Sequence, residues 1–329
     1  MLVLHLTASI VIILLGARFF TNGVEWLGVQ LGLARGAVGS ILAALGTALP
    51  ETMIPIAALL RGRGEAAAEI GIGAILGAPF MLSTAGLALA GGTALVCRRG
   101  GRLIADRACV GRDLCFFFLA YTTAILAAFL PGPLRTAVVV VLLGTYLLFF
   151  VSALTRGARC GEGEQLAPLL VAPRLSQPPL PLVFGQVFFA FGLIMGGARV
   201  FVEAIGWLAQ DLGVPVLVFS LLLAPLATEM PELLNSVLWL REGKDTLALG
   251  NITGAMVFQS AIVPCLGIAF TPWELTPAAL TSALLALGSA ALAYFLLVSR
   301  GHLSSFILFV TGTSCYLVFF AAMLLLGLK

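Results

Sequence analysis

The sequence predicts an all-α integral membrane protein: ten transmembrane helices forming two inverted-topology five-helix repeats, with helices 2, 3, 7 and 8 broken. Three observations carry that expectation. The composition is too apolar for water, the apolar runs have membrane length, and the second half of the chain repeats the first.

Hydrophobic residues make up 60% of the 329-residue chain and charged residues 10%, with mean hydropathy +1.11. Soluble domains carry about 25% charged residues, so this chain has too few to cover a water-facing surface. Apolar runs of about 20 residues span a bilayer. Ten occur, at 2–32, 36–60, 66–92, 113–131, 134–155, 181–210, 214–240, 245–271, 277–298 and 304–327. The first lacks a basic segment before it and is expected to be a span rather than a signal peptide.

The repeat fixes the organisation. "ARFFTNGVEWLGVQLG" from Ala17 and "ARVFVEAIGWLAQDLG" from Ala198 lie 181 residues apart, matching Arg18 to Arg199, Trp26 to Trp207 and Gly32 to Gly213. The same offset pairs "LGTALPETMIPIAALL" (45–60) with "LATEMPELLNSVLWL" (226–240), so Pro50 meets Pro231 and Glu51 meets Glu232. "GAILGAPF" from Gly73 and "GNITGAMV" from Gly250 follow at an offset of 177. The chain therefore divides into a first half (1–155), a cytoplasmic linker rich in Pro and polar residues (156–180) and a second half (181–329). An odd number of spans per repeat inverts the second half, an architecture typical of secondary transporters.

Basic residues orient the whole. With the N-terminus outside, twelve of the 18 Lys and Arg residues fall in cytoplasmic loops and four outside, while Arg18 and Arg199 lie within spans. The positive-inside rule favours that orientation. The expected setting is the plasma (inner) membrane of a prokaryote.

Several functions are disfavoured. No Walker A or Rossmann fingerprint, His-Glu-x-x-His or Gly-x-Ser-x-Gly motif is present, so neither nucleotide-driven transport nor an enzyme is expected, and no cofactor. No Thr-Val-Gly-Tyr-Gly filter suggests a channel. Among the six cysteines no Cys-x-x-Cys pair occurs, so free thiols are expected. The lipid bilayer and small cations are the expected partners, and nucleic acid is not.

Glu51 and Glu232 carry the functional expectation. Each lies deep in an apolar run beside a proline, and an ionisable side chain at membrane depth costs about 2.5–3.5 kcal/mol on insertion scales. Pro50 and Pro231 break the helices, and such breaks persist where protein or a water-filled cavity satisfies the freed backbone. Buried ion pairs with the repeated Arg18 and Arg199 would be one account of the carboxylates. A hard-cation site is the better one, because two carboxylates balance one divalent cation and calcium takes oxygen ligands. Thr47 and Thr228 stand beside the glutamates as further oxygen donors. Glu229, three residues before Glu232, adds a third carboxylate, and Asn251 lies in the following span. Gln259, eight residues further on, faces either the same cavity or a partner within the bundle.

"GTALPE" (46–51), "ATEMPE" (227–232) and the paired Gly-rich spans resemble the two alpha repeats of the calcium/cation antiporter superfamily, which includes sodium/calcium exchangers. The likeness covers all ten spans in organisation, and 17–80 and 198–259 in motif. It implies exchange of Ca²⁺, or another divalent cation, for Na⁺ or H⁺ by alternating access. Glu51 and Glu232 then bind the cation, with Thr47 and Thr228 beside them and Asn251, which keeps the family's asparagine, as a further metal-site candidate. The family's oxygen-bearing positions read Ala48, Ala74, Ala78 and Ala255 here, so a full set of sodium sites is not expected. Glu229 replaces the family serine of the second repeat and would let a proton compete with the metal. A cation-binding sensor or structural membrane protein without exchange is the alternative.

Overall fold

The computed structural model describes residues 2–30, 51–58, 65–97, 101–157, 167–213 and 216–325. In chain order the helices are α1 (Leu2–Gln30), α2 (51–58), α3 (Glu65–Met81), α4 (Leu87–Cys97), α5 (Arg107–Leu126), α6 (Gly132–Gly157) and α7 (Leu180–Leu212). They continue with α8 (Val216–Thr228), α9 (Met230–Arg241), α10 (Asp245–Ala261), α11 (Val263–Phe270), α12 (Pro277–Arg300) and α13 (Ser305–Leu325). Among the described residues, eight helical segments are long and apolar enough to cross a membrane. These match eight of the ten expected runs. The second run contributes only 51–58 to the described residues, and the seventh is divided between α8 and α9. The chain is an all-helical, multi-pass membrane protein whose outer surface carries apolar side chains such as Phe188 and Phe295.

Among the described residues, one departure from all-helical structure appears. Arg102–Leu103 and Leu303–Ser304 pair as a two-residue antiparallel ribbon. Gly101 and Gly301 adopt φ of +57° and +73° beside it, which the absence of a Cβ permits.

The breaks in the third and eighth spans lie at prolines rather than at the repeated glycines. A proline has no N–H and cannot complete the helical ladder. Pro79 lies inside α3 and is followed by a π turn, Leu82–Gly86, which absorbs the disturbance before α4. Ser83 Oγ donates to Pro79 O at 2.7 Å. In the eighth span the joint falls at Ile262, with Pro264 in the first turn of α11.

Glycine has a packing task on one side of the repeat. A Cβ at Gly73 would come within 2.7 Å of Ser220 Cβ, and one at Gly77 within 2.7 Å of Pro225 Cγ. α3 and α8 thus approach closely, as small residues allow between membrane helices, and Ser220 Oγ donates to Ile70 O at 2.6 Å. No described residue lies within 4 Å of the corresponding points at Gly71, Gly250 and Gly254. Close packing is therefore seen at two of these five glycines.

α1 and α7 form a tight antiparallel pair. Added Cβ atoms at Gly16 and Gly197 would each lie 2.8 Å from an isoleucine Cγ1, of Ile194 and Ile13 respectively. The inter-half segment docks onto this pair through polar groups. Gln186 Nε2 donates to Phe19 O at 2.8 Å and to Asn22 Oδ1 at 2.9 Å, while its Oε1 accepts from Val171 N at 3.0 Å. Asn22 Oδ1 also accepts from Leu170 N at 3.0 Å, and Trp26 Nε1 donates to Ala167 O at 2.9 Å.

Replacing Gln186 by Leu removes its three bonds, to Val171 N, Phe19 O and Asn22 Oδ1, at about 1–3 kcal/mol for each buried polar group left without a partner. The expected result is a lower melting temperature in detergent and faster tryptic cleavage at the exposed Arg174. Unchanged melting and cleavage would show that the docked segment adds nothing to stability.

Candidate functional site

The site forms where a helix is interrupted. Glu229 is the single residue between α8 and α9, at φ −85° and ψ −6°, with Pro231 in the first turn that follows. Pro231 offers no N–H to the carbonyl of Ala227, so the ladder fails there. Glu229 N still donates to Pro225 O at 2.8 Å, and Leu233 N to Glu229 O at 3.0 Å, so the chain bends without separating. Glu232 lies in the first turn of α9, where the helix dipole favours negative charge.

Glu51, from α2 in the other half, completes the group. Ligand oxygens of Glu51, Glu229 and Glu232 all lie within 4.8 Å of one another. Their exposures are 4%, 0% and 1%, so none reaches an aqueous surface. At that spacing two like charges repel by about 3–4 kcal/mol with an effective dielectric constant near 20. Three ionised carboxylates this close demand positive charge, supplied as a metal cation or as protons. All offered ligands are hard oxygens, the set preferred by calcium, magnesium and manganese.

The surrounding polar groups divide between holding side chains and holding backbone. Thr228 Oγ1 lies 3.2 Å from Glu229 Oε1 and 3.3 Å from Ala224 O. Gln259 Nε2 donates to Glu229 Oε2 at 2.8 Å. Asn251 Nδ2 donates to the main-chain carbonyl of Glu232 and to Ser236 Oγ, both at 3.1 Å. Through this nitrogen Asn251 ties α10 to the first turns of α9. Neither oxygen of Glu51 receives a hydrogen bond of good geometry among the described residues.

Five of the six site residues expected from sequence are thus gathered around one joint. Thr47 lies outside the described residues, as do Ala48 and Pro50. Gln259, for which sequence left two roles open, reaches the site. Ser236 was not singled out, although its place one helical turn after Glu232 puts both on one face of α9.

The alternative account of the carboxylates, neutralisation by the repeated arginines, fails. Arg18 and Arg199 are exposed on α1 and α7, whereas all three glutamates are buried. Asp113 shows what a neutralised carboxylate looks like here: it pairs with Arg112 at 2.7 Å and accepts from Thr253 Oγ1 at 2.9 Å. The described cysteines, Cys97, Cys109, Cys115, Cys265 and Cys315, are free thiols and take no part.

Comparison with known proteins agrees with this geometry. CaxA of Alkalimonas amylolytica, which carries an antiporter's name, is 26% identical over 275 residues, covering 82% of this chain and 81% of its own length. The inner membrane protein YrbG of Escherichia coli strain K12 is 27% identical over 244 residues, covering 74% of this chain and 71% of its own. The crystal structure of the H⁺/Ca²⁺ exchanger CAX superposes with a TM-score of 0.75 at 16% identity, over 98% of this chain and 82% of that one, which is a likeness of fold. The sodium/calcium exchanger protein family model matches residues 1–155 and 182–328. With both halves matched and three buried carboxylates gathered at a broken helix, the chain belongs to the sodium/calcium exchanger family of membrane transporters.

Proposed function

We propose that the protein is a secondary-active antiporter that exchanges Ca²⁺, or another divalent cation, for protons or sodium by alternating access at the tri-carboxylate site. The observation that carries this reading is the convergence of Glu51 from one half with Glu229 and Glu232 from the other, all buried. Two of those charges balance one divalent cation. In this reading ten spans form two inverted five-span repeats, the halves 1–155 and 181–329 joined by the linker 156–180. Glu51 and Glu232 bind the cation, Thr228 and Thr47 add oxygens, and Asn251 fixes the carbonyl of Glu232. Small cations are the cargo, with no cofactor, and YrbG supports an inner-membrane location.

Protons are favoured over sodium as the counter-ion. Ala74 and Ala78 are buried and apolar where sodium would need oxygen, and Glu229 adds a charge beyond the two that Ca²⁺ requires. A departing divalent cation leaves its carboxylates uncompensated, and protons restore neutrality without further ligands.

The test is ⁴⁵Ca²⁺ uptake into proteoliposomes under an imposed H⁺, Na⁺ or K⁺ gradient. Uptake driven by the H⁺ gradient supports the reading. Binding without flux under any gradient would identify a cation sensor instead.

Orientation is tested separately. With native thiols replaced, a cysteine at Gly132 should label from outside intact cells and one at Arg102 only after permeabilisation. The reverse pattern would reject an external N-terminus.

A further inference from the structure

We propose that Arg18 and Arg199 each bind the phosphate of an anionic phospholipid, one in each leaflet of the membrane. The inference stands apart from the antiporter reading, because neither arginine touches the carboxylate site. The two are equivalent in the internal repeat, 181 residues apart. Both are exposed, on α1 and on α7. Among the described residues neither forms an ion pair or a side-chain hydrogen bond.

Their surroundings are those of lipid. Leu4, Val11 and Leu15, all exposed, precede Arg18 at helical spacing and share its face. On α7 the exposed Phe188, Gly192 and Gly196 lie on the side of Arg199. No described residue stands within 4 Å of the point a Cβ would occupy at Gly192 or Gly196, so the guanidinium has open room beside it. Arg18 is nine residues from the end of the apolar span Leu4–Leu27, and Arg199 thirteen from the end of Leu180–Leu212. At the helical rise those are about 14 and 20 Å. A charge held so deep is costly without a counter-ion, and a long side chain turns its head towards the nearer boundary while its stem covers apolar surface. α1 and α7 run antiparallel, with Gly16 against Ile194 and Gly197 against Ile13, so the two nearer boundaries belong to opposite leaflets. The anion met at either boundary is a lipid phosphate, which a guanidinium grips through two parallel N–H···O bonds. An anionic headgroup is preferred, since a zwitterionic one already balances its phosphate with its own cation.

Native mass spectrometry of the purified full chain, released from micelles holding equal phosphatidylglycerol and phosphatidylcholine, tests this. The parent should retain two phosphatidylglycerols in preference to phosphatidylcholine. Arg18→Leu and Arg199→Leu should each lose one, with affinity at that site falling about tenfold or more. Leucine suits a lipid-facing position, so both variants should fold, and Arg18→Lys and Arg199→Lys, which keep the charge, should keep their lipids. Adducts unchanged in the double leucine variant, or a parent without preference between the two lipids, would overturn the proposal. Loss from only one leucine variant would overturn the assignment at the other arginine. A dimer mass in the parent that disappears in the leucine variants would overturn it as well, and make this face a contact between two copies of the chain.

Discussion

Glu51→Gln and Glu232→Gln are each expected to abolish divalent-cation flux in proteoliposomes while leaving the metal-free protein no less stable. The two halves of this expected result have one cause. Each glutamate supplies an anionic oxygen to a buried cluster whose members lie within 4.8 Å. Losing about 3 kcal/mol of cation pairing is already two decades of affinity. Removing one charge also removes repulsion of about 3–4 kcal/mol per ionised pair. Melting curves in chelator at pH 8 should therefore show the variants melting at or above the parent temperature, while ⁴⁵Ca²⁺ binding falls by about a hundredfold or more. A variant that melts lower and still transports would remove that glutamate from the site and make it a structural residue.

The second large effect concerns pH. Metal binding needs ionised carboxylates and releases whatever protons they hold. Three carboxylates around a divalent cation carry one charge more than the metal balances, and that excess favours a proton. The sign follows directly: cation affinity is highest at alkaline pH and falls as pH falls, because protons occupy the same oxygens. Glu229→Ser removes the excess charge and restores a hydroxyl, so its affinity profile between pH 5.5 and 8.5 should be flatter than the parent's. Its flux should also depend less on an imposed H⁺ gradient. Identical flat profiles in both proteins, together with steep sodium dependence, would make Glu229 a bystander and sodium the counter-ion.

The sequence by itself determined the medium, the membrane class, the internal repeat and the principal carboxylates. These are properties of composition, of periodic spacing, and of the high cost of charge at membrane depth, none of which needs coordinates. Glu51 and Glu232 were legible because a repeat 181 residues apart puts the same Pro-Glu pair twice into apolar runs. The tertiary structure decided what each neighbouring side chain does. Asn251 was placed at the site by the sequence, and its amide nitrogen donates to the carbonyl of Glu232 and the hydroxyl of Ser236. Gln259 could have faced a cavity or a packing partner, and it meets Glu229. Arg18 and Arg199 repeat as faithfully as the glutamates but point away from them, to the exposed faces of α1 and α7. Gly73 and Gly77 meet α8 at close quarters. Such outcomes depend on how each helix is rotated about its axis and how near its neighbours lie. Those quantities are set by packing between segments more than a hundred residues apart, where a difference of one position turns a side chain by about 100°.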